Sequence, residues 1–244
     1  FDFAYWSEKI PYDLAGYITA FFVTWFFYQK VLHRSELPNP FKSHRQKWEY
    51  YLYVIAGGML GRIIISTFDG VMIPGRNPEW WILLSKSIAG TLFGWIITAE
   101  LYKYFNNIKT PTGILFLPGI LLWVFIGRLG AIATGLRDFT YGLPTNLPWW
   151  IDFGDGIARH PTMIYEMILL AIFFAIFCIW LYSRKRKWWI VNGFYTFIIT
   201  YFLYRFSVGF IQPYSHFWFG LSTYQLIAIP MVIYGGWMIL IKYK

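Results

Sequence analysis

Apolar residues along this chain gather into seven runs of similar length, at residues 14–30, 50–67, 81–102, 113–134, 162–182, 189–212 and 223–241. Each approaches the roughly 20 apolar residues that a helix needs to cross a bilayer. The pattern therefore predicts an all-α integral membrane protein of about seven transmembrane helices. The polar intervals divide unevenly by charge. VLHRSELPNPFKSHRQKWE (31–49) carries Arg34, Lys42, Arg45 and Lys47, the 103–112 interval carries Lys103 and Lys109, the fifth connection reads SRKRK, and the chain ends KYK. The alternate intervals hold only Lys9, Arg76, Lys86, Arg137 and Arg159 near the ends of runs. Retention of Lys and Arg on the cytoplasmic side then predicts an outside N-terminus and a cytoplasmic C-terminus. No internal repeat or low-complexity linker interrupts the chain, which reads as one polytopic domain over 1–244 with a polar loop, 135–161, on the outer side.

Composition agrees with this pattern: 57% of residues are hydrophobic, 23% aromatic and only 14% charged, against about a quarter charged in soluble domains. The net charge of +9 does not point to nucleic acid, because the basic residues sit in short loops rather than on one face. The lone Cys178 lies in an apolar run, which excludes a disulfide framework and reads as a small packed side chain. FDFAYWSEKIPYD lacks the basic n-region of a cleavable signal peptide, so none is expected.

Five ionisable residues fall within or at the edge of the apolar runs: Arg62, Glu100, Arg128, Glu166 and Arg205. A charge at bilayer depth costs at least about 2.5–3.5 kcal/mol, so each is expected to face the bundle interior with a partner. Arg62 follows GGMLG, and Arg128 sits in GRLGAIATG, whose small residues allow close helix approach. Arg205 lies in YFLYRFSVGFIQPY, where Gly209 and Pro213 mark a weak helix end. One reading makes these structural ion pairs, Arg128 with Glu166 for example. The other notes more buried arginine than acid, and infers an anion from outside the chain; a phospholipid headgroup suits the planar fork of arginine. Glu100 precedes LYKY and reads as a boundary residue.

The stretch DFGDGIARHPTMIYEM (152–167) opens an apolar run on costly polar groups. DFG is not a kinase signature here, since no Gly-rich or catalytic loop precedes it. An EF-hand fails because the twelfth position from Asp152 is Met163. Asp152 and Asp155 suffice only for a loose cation, and His160 has no second His or Cys nearby for zinc, so no metal site is expected. Pro161 suits the first helical position, which leaves Tyr165 and Glu166 on adjacent faces of the second turn.

In order, GRLG (127–130), YGLPTNLPW (141–149), RHPTMIYE (159–166), YRF (204–206) and YQLIAIP (224–230) resemble the prolipoprotein diacylglyceryl transferase family. PYDLAGY (11–17) and GGMLGR (57–62) follow it more loosely. The resemblance implies a bacterial inner-membrane enzyme that moves diacylglyceryl from phosphatidylglycerol to the thiol of a lipoprotein-precursor cysteine. Its partners would be the phospholipid and the precursor peptide, with no cofactor and no nucleic acid. Carried over by motif, Arg128, Arg205, His160, Glu166 and Tyr165 would serve catalysis. Arg62, Arg159, Asp138 and Gln225 would help to hold the substrate.

The chain departs from the family pattern at several polar positions. Ala131, Thr134 and Leu136 stand where asparagines and a glutamate are expected, Gly209 and Gln212 where a glutamate and an arginine are, and SKSIAGTLFG where a histidine precedes the third-run glycines. A thiol attacks well only as the thiolate, so a base is needed; Asp138, Asp155, His160 and Glu166 are the candidates. Two readings stay open, a divergent transferase and a non-catalytic lipid-holding subunit of a membrane complex. A transporter would show inverted repeats or paired broken helices, which are absent here.

Overall fold

The computed structural model describes residues 3–33, 39–71, 87–181, 183, 186–214, 216 and 218–242. Among them are seven α-helices: α1 (Phe3–His33), α2 (His44–Val71), α3 (Ile88–Phe105), α4 (Gly113–Thr134), α5 (Thr162–Leu181), α6 (Arg186–Val208) and α7 (Thr223–Lys242). Four segments, His44–Phe68, Gly113–Asp138, Thr162–Leu181 and Thr223–Ile241, are long and apolar enough to cross a membrane.

α4 is the central post, packing against α1, α5 and α6. More than half of its residues are buried, among them Ile114, Leu117, Leu121 and Val124, which join Phe177 of α5 and Phe197, Ile198 and Phe202 of α6. With little hydrophobic drive between helices in lipid, close packing needs small residues, and they face one another here. Running antiparallel, Gly119 of α4 meets Ala20 and Thr24 of α1, Gly16 of α1 meets Trp123, and Gly130 meets Tyr12. In the same way Gly57 and Gly61 of α2 lie against Gly90 and Gly94 of α3, backbone on backbone. α6 and α7 form the third close pair.

The helices depart from the predicted runs at their ends. α1 extends the 14–30 run in both directions, and the first residues of the 81–102 run, 81–86, lie outside the described residues. α6 stops at Val208 rather than 212, because Gly209, Phe210 and Ile211 tighten onto the carbonyls of Arg205, Ser207 and Val208 before Pro213. Glu100 is more than a boundary residue: its Oε1 receives Lys103 Nζ at 2.7 Å and the hydroxyl of Tyr234 (α7) at 2.9 Å. That pairing buries Lys103 to 5% exposure and ties α3 to α7.

Beyond α4 a 3₁₀ turn, Gly135–Asp138, leads into the polar loop. The loop is built, not loose. Ile151 and Arg159 exchange backbone hydrogen bonds, Thr145 N donates to Ala158 O, and Leu143 N donates to Ile211 O past the end of α6. Asp152 Oδ1 accepts from the amides of Gly154, Asp155 and Gly156, a turn that Gly154 and Gly156 permit at φ of 101° and 73°. The two aspartates suggested for a loose cation are thus spent on the loop's own geometry.

Candidate functional site

Arg128 on α4, Glu166 on α5, and Tyr201 and Arg205 on α6 converge in the packed interior. Their positions follow from sequence spacing. Arg128 lies in the last turns of α4, Glu166 comes one turn into α5 after Pro161, and Tyr201 and Arg205 share a face at i, i+4. Arg128 Nη2 lies 3.0 Å from Glu166 Oε1 and 2.9 Å from Oε2. Arg205 Nη1 approaches Oε2 at 3.4 Å, and the Tyr201 hydroxyl donates to Oε1 at 3.0 Å. Relative exposures of 5% for Arg128, 1% for Glu166 and 4% for Arg205 mean that solvent barely screens these charges. The Arg205 guanidinium also sits 5.2 Å from the ring centre of Tyr224 (α7).

A cavity of about 40 Å³ lies beside this cluster. Its walls include Asp13 and Tyr17 of α1, Arg62 of α2, Ser87 and Thr91 at the start of α3, Gly127 and Arg128 of α4, and Asp138. Arg62 Nη1 donates to the Tyr17 hydroxyl at 3.3 Å. Asp138, 3% exposed, accepts from Thr140 Oγ1 at 2.7 Å. Arg205 is linked to this wall through Glu166, which it shares with Arg128. Among the described residues, the Nε of Arg62, of Arg128 and of Arg205 are buried without a hydrogen-bond partner. Buried donors are rarely left so; two of these three, on Arg62 and Arg128, belong to residues that line the cavity.

The excess of buried arginine inferred from the sequence does not hold. Asp138 and Glu166 are buried along with Arg128 and Arg205, and Asp13 lines the cavity with Arg62. Asp13 appeared only within PYDLAGY and was given no role of its own, as it stands just before the 14–30 apolar run. In the structure it lies inside α1 and turns toward Gly127 of α4.

The remaining candidates are placed elsewhere. His160 Nδ1 lies 3.3 Å from the Tyr165 hydroxyl, which receives Trp149 Nε1 at 2.8 Å, making a rim cluster beneath the polar loop. Arg159 pairs with Asp155 Oδ2 at 2.6 Å and stacks over Tyr141 at 4.9 Å. The hydrogen bonds from Arg159, foremost, hold the Asp155 carboxyl below its ordinary pKa. Gln225 completes a capping box with Ser222: its Oε1 accepts from Ser222 N at 2.9 Å, while its Nε2 donates to Phe206 O at 3.1 Å.

That cap explains one departure. A Cβ at position 209 would stand 2.6 Å from the Gln225 side chain, so the glutamate expected there has no room. Gln212, in the place of an expected arginine, donates to Thr140 O at 2.9 Å and to Thr162 Oγ1 at 3.3 Å. It binds the polar loop to the start of α5. Sequence reasoning gave no role to Tyr201 or Asp13, and noted Gln212 only as a departure from the family pattern. Tyr201 carried a usable signal, as a tyrosine one turn from Arg205 in an apolar run.

The family model described as prolipoprotein diacylglyceryl transferase matches residues 12–241. A relative from Methylococcus capsulatus, named phosphatidylglycerol–prolipoprotein diacylglyceryl transferase, is 26% identical over 235 residues, covering 90% of this chain and 86% of its own. Relatives of the same name come from Nitratidesulfovibrio vulgaris, 30% identical over 77% of this chain and 72% of theirs, and from Vibrio atlanticus, 30% identical over 80% and 72%.

Proposed function

We propose that this chain, which belongs to the prolipoprotein diacylglyceryl transferase family, transfers diacylglyceryl from phosphatidylglycerol to a cysteine thiol of a lipoprotein precursor. In this reading it is a multi-pass protein of the bacterial inner membrane, with seven spans and the N-terminus outside. The cavity, at the end of the bundle where the 135–161 loop packs, then opens toward the outer leaflet.

The observation that carries the reading is the convergence of Arg128 and Arg205 on one buried carboxylate beside a cavity lined by Arg62. Arg128 and Arg205 hold the lipid phosphate and the charge that grows on it as it leaves. The sulfur attacks the glyceryl carbon, the carbon–oxygen bond to phosphate breaks, and glycerol phosphate departs with the electron pair. Fixed guanidinium groups in a dry site stabilise that charge without reorganising at the moment of reaction. Glu166 is their counter-ion in the resting state and keeps both forks oriented. Tyr165 and His160 stand at the rim, where an incoming peptide would pass.

The test is donor turnover in vesicles. Purified protein in phosphatidylglycerol vesicles should release glycerol phosphate only when a cysteine-containing lipobox peptide is added. Release that does not depend on the thiol would point to a hydrolase, and no release to a lipid-holding relative.

A further inference from the structure

Gln212 lies just beyond the tightened end of α6, and its side chain is buried to 2% exposure. Its Nε2 donates to Thr140 O at 2.9 Å and to Thr162 Oγ1 at 3.3 Å. A backbone carbonyl can only accept, so the orientation of the amide is fixed. Among the described residues its Oε1 is buried without a partner. An amide kept with one end unsatisfied is there for its donors. Both donors lead into the candidate site. Thr162 opens α5 one turn before Glu166, and its carbonyl accepts at 2.8 Å from the hydroxyl of Tyr204, the neighbour of Arg205. Thr140 donates its own hydroxyl at 2.7 Å to Asp138 on the cavity wall. Gln212 therefore joins the chain beyond Arg205, the first turn of α5 and the polar loop at one buried point.

We propose that Gln212 is a positioning residue of the transfer, acting through Thr162 to hold Glu166 in register with Arg205. This rests on the transferase reading above. Arg128 and Arg205 reach Glu166 from different helices, and Arg205 makes the longer contact, 3.4 Å against 2.9 Å. The seam between α5 and α6 thus sets how far apart the two guanidinium groups stand when a phosphate arrives. Gln212 clamps that seam one helical turn from the carboxylate, and a single turn is too short and too well bonded to absorb a displacement at Thr162. A neutral amide supplies both donors without bringing a third guanidinium to the carboxylate that Arg128 and Arg205 share.

The experiment is a pair of double-mutant cycles on the full chain in phosphatidylglycerol nanodiscs, one read by steady-state kinetics with a lipobox peptide, the other by thermal unfolding. Gln212→Met keeps the length of the side chain and removes its donors, while Thr140 O keeps the hydroxyl of Thr162 and is not stranded. Thr162→Val breaks the same link from the other side. Each should lower kcat by about 10-fold or more, since a misplacement of about 1 Å costs up to roughly 10²-fold. KM for the lipid should stay within about threefold. The double variant should lose no more than the larger single loss, because both changes break one link. In unfolding, Gln212→Met and Glu166→Gln should together shift Tm by less than the sum of their separate shifts. A kcat like wild type in the single variants, kinetic losses that multiply, or Tm shifts that add would overturn the proposal. Should Gln212→Met fail to fold, Gln212→Asn, which draws the amide back by one bond, takes its place in both cycles. A wild-type protein that never modifies the peptide would refute the transferase reading, while the unfolding cycle still decides whether Gln212 positions Glu166.

Discussion

Arg128 meets both oxygens of Glu166, at 3.0 Å on Oε1 and 2.9 Å on Oε2, across the seam between α4 and α5. The pair was foreseen as a structural ion pair; its coupling to Arg205 and Tyr201 makes it the centre of the candidate site as well. Removing one partner from a buried pair leaves the other charge uncompensated. Glu166→Ala should therefore destabilise the protein by about 3–5 kcal/mol. Glu166→Gln keeps the shape and one acceptor and should cost about 1–3 kcal/mol. Thermal unfolding in detergent measures both, and an Ala variant as stable as wild type would contradict the account.

Arginine's fork matters at position 128, and its planarity at position 205, where the guanidinium lies over Tyr224. A lysine offers a point charge that cannot reproduce either contact. Arg128→Lys and Arg205→Lys should each lower kcat/KM by about 10²–10³-fold, the scale for losing one fixed transition-state donor. Steady-state kinetics on each variant checks this, and full activity in either would remove that residue from the phosphate site.

The helix pair α2–α3 depends on glycine. A Cβ at Gly61 or Gly94 would run into the backbone of the facing helix, whereas one at Gly236 on α7 meets nothing within 4 Å. Gly94→Ala should destabilise by about 1–3 kcal/mol through overpacking. Gly236→Ala should be neutral or stabilise by up to about 1 kcal/mol through helix propensity. Paired unfolding curves separate the two, and equal effects would show that the α2–α3 approach is not backbone-limited.

The polar loop should respond to acid. Asp155 has its pKa depressed in the folded protein, chiefly by Arg159. A depressed carboxylate contributes stability above its unfolded pKa, and that contribution is lost as pH falls through the folded value. Resistance of the loop to proteolysis should therefore hold at neutral pH and weaken modestly below about pH 4, the ordinary aspartate range. Asp155→Asn should show the weakened state at every pH. Unchanged cleavage across this range would show that the pair does not hold the loop.

The sequence made the helices legible because length and apolarity alone decide what suits a bilayer, and six of the seven runs coincide with described helices almost throughout. Helix ends were less legible. Where α6 stops depends on Gln225 filling the space at Gly209, a contact between residues far apart in the chain. In the site, Asp138 was a candidate from the polar loop, whereas Arg128, Arg205, Glu166 and Arg62 stood out because charge in an apolar setting is costly. Asp13 did not, since its cost appears only once α1 is known to begin at Phe3. Gln225 was named for substrate holding through the YQLIAIP resemblance, and a motif does not show that its side chain caps the start of α7.

The central claim is that the arginine pair serves transfer, and one measurement bears on it most directly. Purified protein is incubated with phosphatidylglycerol and a lipobox peptide, and the peptide mass is followed for a diacylglyceryl thioether. The account predicts the thioether with wild type and none with Arg128→Ala, although the variant still folds. A wild-type protein that retains phospholipid yet never modifies the peptide would contradict it.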